Sequence, residues 1–181
     1  ITLRQRKKYE EARTFLEASL RIEEQLYGPN HATLAAPLNN LAALYQEMGM
    51  RGESIELLER GLGLHEKAFG PEHPDTLSLR HNLARAYLYL PEVEKANAIN
   101  EEVLEILRRV LGEEHSQTLK SMNLLAIGYS KLGRHKEALE LHLAAYEGRN
   151  TIYGPQNADA LQSKLDIVEE LFHLDRIREA N

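Results

Sequence analysis

The chain repeats itself every 42 residues, and that period constrains its fold more than any single residue does. Gly28, Gly70, Gly112 and Gly154 are each 42 residues from the next, and each follows an apolar or aromatic residue: Tyr27, Phe69, Leu111 and Tyr153. Three of these glycines lead into a matched histidine, at His31, His73 and His115; the fourth leads to Asn157. Later in each unit an apolar pair precedes a tyrosine: Leu41, Ala42 and Tyr45; Leu83, Ala84 and Tyr87; Leu125, Ala126 and Tyr129. A small residue recurs at Ala12, Ser54, Ala96, Ala138 and Ala180. Self-similarity at this interval marks an array whose units stack on their neighbours in one dimension. Such arrays usually offer binding surfaces, so the period points away from an enzyme.

The period divides a single array into a partial unit at residues 1–28, full units at 29–70, 71–112 and 113–154, and a partial unit at 155–181. Both ends fall inside a unit and Ile1 is not a natural start, so the sequence reads as a piece of a longer array without its true N-terminus. Within residues 29–70, Leu34, Leu38, Leu41, Ala42 and Tyr45 follow one another at helical steps, which places them on one face of a first helix capped by Thr33. Gly49 suits a left-handed helix end. A second helix runs from about Glu53 to Ala68 with Ile55, Leu57, Leu58, Leu62 and Leu64 as its apolar stripe, until Gly70 and Pro71 break it. Asp75 is the expected cap of the first helix of the next unit. Pro37 falls near the start of its helix, where proline is best tolerated, so that helix starts late or bends. Pro91 replaces the glycine of the inner turn and cannot adopt its conformation, so that turn must differ in shape. Gly61 and Gly63 weaken their helix by roughly 1 kcal/mol each relative to Ala, which close helix packing would explain. Neither helix can bury its stripe alone, and stacking hairpin on hairpin gives one continuous core. The expected fold is all-α: a right-handed α-α superhelix, a solenoid of stacked helix-turn-helix repeats.

Composition excludes several functions. Aromatics make up 6% of the chain and Trp is absent, so Leu and Ala carry the apolar load beside helix-favouring Glu, Lys and Arg. A net charge of −6 argues against a nucleic-acid partner, since such proteins carry a basic face. With no cysteine, disulfides, thiolate zinc sites and cysteine nucleophiles are ruled out, and a reducing, cytoplasmic compartment fits. No apolar run reaches membrane-spanning length, so no membrane insertion is expected.

Catalytic and metal motifs are equally absent. Gly61-Leu62-Gly63 has neither the preceding strand nor the third glycine of a phosphate loop. His65-Glu66 lacks the second histidine of a zinc-protease helix, and no nucleophile elbow, Walker motif or paired-carboxylate cleft is present. His31, His73 and His115 stand one repeat apart, too far to share an ion, and read as packing residues beside each turn. His135 and His142 lack a third ligand and read as surface residues. The basic stretch Arg4, Arg6, Lys7 and Lys8 reads as a solvated turn beside Glu10 and Glu11. No enzyme activity, metal or cofactor is expected.

The unit resembles a tetratricopeptide repeat in its 42-residue form, the form of kinesin light chains. The family phrase is visible as Gly70-Pro71-Glu72-His73-Pro74 with Asn82-Leu83-Ala84 and Tyr87, as Asn40-Leu41-Ala42 with Tyr45 and Gly49, and as Gly133 with Glu137-Ala138. The resemblance implies a protein-protein interaction scaffold or adaptor that binds a partner peptide in the concave groove lined by the first helices. The groove asparagine of the family falls at Asn40 and Asn82, while Leu124 and Asp166 stand in the later units. Asn39, Ala43, Gln46, His81, Arg85, Tyr89, Lys120, Asn123, Ile127 and Lys131 are the other positions expected to face the groove. Arg85, Lys120 and Lys131 make the middle of this set basic, so a protein or peptide ligand with acidic residues fits it. Self-association through the open array ends is a further expectation. The other reading is a regulatory or sensor segment of a larger multidomain signalling protein, for example a nucleotide-switched ATPase, whose catalytic part lies outside this chain.

Overall fold

Glycines with positive φ punctuate the chain, and the segments between them are helical. The computed structural model describes residues 3–180, with side chains over 7–175, so Arg4 and Arg6 of the basic stretch and Ala180 of the small-residue series lie outside the described side chains. The described elements are α1 (Leu3–Tyr27), a 3₁₀ turn (Ala32–Leu34), α2 (Ala35–Glu47), α3 (Arg51–Phe69), α4 (Pro74–Tyr87), α5 (Val93–Leu111), α6 (Ser116–Lys131), α7 (His135–Tyr153) and α8 (Ala158–Ala180). No strand occurs among the described residues. The chain forms two compact units, Ile1–Leu90 with α1 to α4 and Pro91–Asn181 with α5 to α8.

The two kinds of turn use glycine differently. At the inner turn after α2, Gly49 has φ +81°, the Met50 N–H reaches back to Tyr45 O and the Gly49 N–H to Gln46 O, which satisfies the last carbonyls of the helix. At the outer turn after α3, Gly70 has φ +87° with ψ 166°, a pairing that a side chain would make strained. The turn after α4 contains no such glycine. There Tyr89 N–H bonds Ala86 O and Leu90 N–H bonds Tyr87 O in short-range turns before Pro91, the different shape that proline requires.

The helix starts depart from the sequence reading. Thr33 and Asp75 are not the caps. His31 Nδ1 accepts the Thr33 N–H, His73 Nδ1 accepts the Asp75 N–H and His115 Nδ1 accepts the Gln117 N–H, at 3.3, 3.2 and 3.3 Å. Asn157 Oδ1 does the same for the Asp159 N–H at 2.9 Å. The periodic histidine is therefore the capping residue, and the fourth unit substitutes a common cap type. Pro37 lies in the first turn of α2, which starts late, after the 3₁₀ turn.

In the first unit, Leu20 of α1 meets Leu34, Leu38, Leu41 and Tyr45, and Leu57 and Leu64 of α3 pack against this cluster. In the second unit, Leu104, Leu119, Met122, Leu125 and Ala145 form the corresponding cluster. Each fully buried Leu contributes about 1.5–3 kcal/mol. Ser54, Ala96 and Ala138 are buried to within 1% of full burial, the small positions where helices approach most closely. Gly61 also serves close packing, since a Cβ there would lie 3.4 Å from Ala35 O and Leu38 Cβ. Gly63 does not: it is exposed and a Cβ would meet nothing within 4 Å.

A periodic polar contact accompanies the apolar one. The hydroxyls of Tyr45, Tyr87 and Tyr129 donate to Glu17, Glu59 and Glu101 at 2.9, 2.6 and 2.8 Å, each pair 28 residues apart. Burial and the bonded carboxylate both hold the Tyr45 and Tyr129 phenols above their ordinary range. In the fourth copy both partners change together, to Leu143 and Leu171.

Candidate functional site

The first unit opens a groove of about 510 Å³ where the C-terminal ends of α2 and α4 lie beside the start of α3. Ala43, Leu44 and Ala86 supply its apolar wall, and Gln46, Glu47, Arg51, Arg85 and Tyr89 its polar and aromatic rim. Gln46, Arg85 and Tyr89 are positions expected from the sequence to face a binding groove; so is Ala43. The small side chains matter here, because Ala at positions 43 and 86 leaves space beside the helix ends.

Local structure holds the rim in place. Gln46 Nε2 donates to Ser54 Oγ at 3.1 Å, and Ser54 Oγ donates onward to Ala42 O at 2.9 Å. Arg51 donates to Tyr89 O at 3.1 Å and its guanidinium lies 5.6 Å from the centre of the Tyr89 ring. This clamp orients Tyr89, which stays 57% exposed and so presents an aromatic surface to solvent. Arg85 is exposed. Two arginines face one carboxylate, Glu47, so the rim carries a net positive charge within an acidic chain.

The other sequence-derived candidates are distributed as follows. Asn82 Nδ2 donates to Asn39 Oδ1 at 2.9 Å, a bond between α4 and α2 that uses one group of each amide and leaves the rest available. Asn40 is exposed and His81 half-buried on the same two helices. In the second unit Lys120, Ile127 and Lys131 are exposed on α6. Asn123 is tied inward: its Oδ1 accepts from His142 Nδ1 of α7 at 3.0 Å. The sequence reading missed Arg51, Glu47, Leu44 and Ala86. Arg51 sits just past the inner-turn Gly49, where no helical face had been assigned.

Among the described residues the second unit buries more polar groups than the first. Ser121 Oγ donates to Asn100 Oδ1 at 2.9 Å while Asn100 Nδ2 donates to Ser121 O at 2.7 Å. Buried Arg149 donates to Ser163 Oγ, Asp159 O and Leu119 O. His135 and His142 are not surface residues: buried Glu170 lies 2.8 Å from His135 Nδ1, and His142 is 2% exposed. Their repeat positions on α7 turn them toward α8, which a seven-residue spacing alone could not reveal.

The tetratricopeptide repeat profile matches residues 1–67, 33–106 and 92–151. The chain belongs to the tetratricopeptide repeat family. Among solved structures, a putative kinesin light chain of Podosopora anserina with nearly identical repeats superposes with TM-score 0.79 at 29% identity, over 97% of this chain and 83% of that one. A single-substitution form of that protein gives TM-score 0.81 at 28% identity over the same shares. BtubC (BKLC) from P. vanneervenii gives TM-score 0.82 at 22% identity, over 98% of this chain and 71% of that one, a likeness of fold. The comparison with curated proteins gives no match. The kinesin light chain-like, stacked helix-turn-helix class expected from the period is thus the class this tetratricopeptide repeat chain has. That fold typically serves as a non-catalytic scaffold for protein-protein contacts. No helix among the described residues is long and apolar enough to cross a membrane.

Proposed function

We propose that this tetratricopeptide repeat chain is an interaction scaffold that binds an acidic peptide segment of a partner protein in the groove at Gln46, Arg51, Arg85 and Tyr89. The observation that carries this reading is the groove's combination of an apolar wall, an oriented exposed aromatic and two arginines against one carboxylate. An exposed, clamped aromatic beside arginine is the kind of residue set that dominates affinity at interfaces. The basic rim favours acidic side chains through charge steering, which weakens as salt rises because exposed charges are screened over about 10 Å at 0.1 M ionic strength. Asn39, Asn40 and Asn82 extend the site along α2 and α4 with groups that both donate and accept, suited to a peptide backbone. The likeness to a putative kinesin light chain supports an adaptor role of this kind.

Fluorescence anisotropy with an acidic peptide library tests the proposal. Arg85→Glu should weaken the best binder about tenfold, roughly 1.4 kcal/mol, with an unchanged circular dichroism spectrum. Gln156→Ala, on an exposed turn, should leave binding as it was. Undiminished affinity in Arg85→Glu, or selection of basic peptides, would show that the groove is not the site.

A further inference from the structure

Repeat position matches His73 only with His31 and His115, each one repeat away, but folding sets it beside His65. His65 lies near the C-terminal end of α3 and His73 precedes α4, on the far side of the Gly70 turn. Their ring centroids are 5.3 Å apart, and Phe69 touches both rings at 4.5 and 5.2 Å. One ligand-capable atom from each of His65, His73 and Asp75 lies within 4.8 Å of the other two.

The hydrogen bonds decide which lone pairs are available. Thr76 Oγ1 donates to Gly70 O at 2.9 Å, so the contact of 2.8 Å between Thr76 Oγ1 and His65 Nδ1 has the imidazole as donor. The proton on Nδ1 leaves the His65 Nε2 lone pair open. A hydrogen bond from the non-coordinating nitrogen is the arrangement that orients metal-bound histidines. His65 is 8% exposed, so its ring is held in place within the fold. His73 accepts the Asp75 N–H at Nδ1, so its proton sits on Nε2 and the Nδ1 lone pair points toward the start of α4. Asp75 Oδ2 lies 3.9 Å from that same Nδ1.

We infer that His65, His73 and Asp75 form a binding site for a divalent cation of the zinc type. Two imidazoles and one carboxylate are ligands such ions accept, and three protein ligands leave a fourth position for water or a further donor. Ligand atoms about 2.1 Å from a tetrahedral ion stand roughly 3.4 Å apart, so the cluster closes by roughly 1 Å on binding. Asp75 is exposed and in the first turn of α4, where such a shift is easy. The ion exchanges the capping bond at His73 for coordination and ties the end of α3 to the start of α4. Among the described residues no other turn brings three such groups together. At the position of His65 the other units carry Glu23, Leu107 and Arg149, so His115, which caps α6 in the same way, has no second imidazole.

Calorimetric titration of the chain with Zn²⁺ alone tests the site. One equivalent should bind. His65→Leu, which installs the residue found at the matching position 107, and His73→Asn, which retains a capping group as Asn157 does, should each weaken binding at least tenfold. His115→Asn should bind as the unaltered chain does. Co²⁺ replacing Zn²⁺ should show absorption typical of mixed nitrogen and oxygen ligands that is lost in both variants, with helicity by circular dichroism retained. Absence of binding to the unaltered chain, or binding that persists in His65→Leu and His73→Asn, overturns the assignment.

Discussion

Adding one methyl group at Gly128 should reverse its effect on stability according to what stands at position 97. Gly128 is buried in α6, and a Cβ there would lie 1.7 Å from Asn97 Oδ1, 2.7 Å from its Cγ and 3.1 Å from its Nδ2. Asn97 is 4% exposed on α5 and its Nδ2 has no hydrogen-bond partner. Gly128→Ala alone forces this amide out of its place, an overpacking cost of about 1–3 kcal/mol. Helix propensity returns about 1 kcal/mol. The net should be a loss of up to about 2 kcal/mol. In the Asn97→Ala background the obstructing amide is gone, the new methyl fills part of the space it left, and the propensity gain remains. There Gly128→Ala should stabilise by about 1 kcal/mol, for a coupling of roughly 1–3 kcal/mol between two positions in contact. Urea denaturation of the four chains, followed by far-ultraviolet circular dichroism, measures this. With a slope of about 1–3 kcal/mol per molar urea, the midpoint should fall by up to about 2 M in the first background and rise by up to about 1 M in the second. Destabilisation of the same size in both backgrounds would refute the contact.

Other expectations follow from the caps, the buried histidine and the small positions. His73→Ala should cost about 1 kcal/mol through loss of the α4 cap, while His73→Asn should cost much less, read as urea midpoints in the absence of metal ions. Burial holds His142 below its ordinary range, although Asp166 and Glu170 oppose the effect and Arg149 reinforces it. The folded chain therefore binds this proton less readily than the unfolded one. The stability His142 contributes is full above about pH 6.5 and is lost as pH falls below it through the lower folded value. The urea midpoint should drop between about pH 7.5 and pH 5.5, and His142→Asn, matching Asn100 one repeat earlier, should make that drop shallower. Ala96→Leu and Ala138→Leu should each lower stability by about 1–3 kcal/mol, and an unchanged melting temperature in both would contradict their tight packing.

Helical class, period, glycine turns and small packing positions could all be read from the order of residues alone. Each of these rests on a rule that acts locally or between neighbouring repeats, so every copy states it again. Gly28, Gly70, Gly112 and Gly154 announce the same turn four times, and Ser54, Ala96 and Ala138 the same close approach. The capping role of the histidines was legible too, had Asn157 been weighed as a cap type at the matching place. Glu17, Glu59 and Glu101 recur as faithfully as their tyrosines, and the joint change to Leu143 and Leu171 was the signal that they pair. The departures from the period are set by packing between helices. Asn97 against Gly128, Asn100 with Ser121, Arg149 with Ser163, His65 beside His73 and Arg51 against Tyr89 each occur once. A pair that occurs once has no second copy to reveal it. Its partners meet because two helices turn particular faces to each other, and side-chain shape, burial and hydrogen-bond direction then settle which groups remain free to bind.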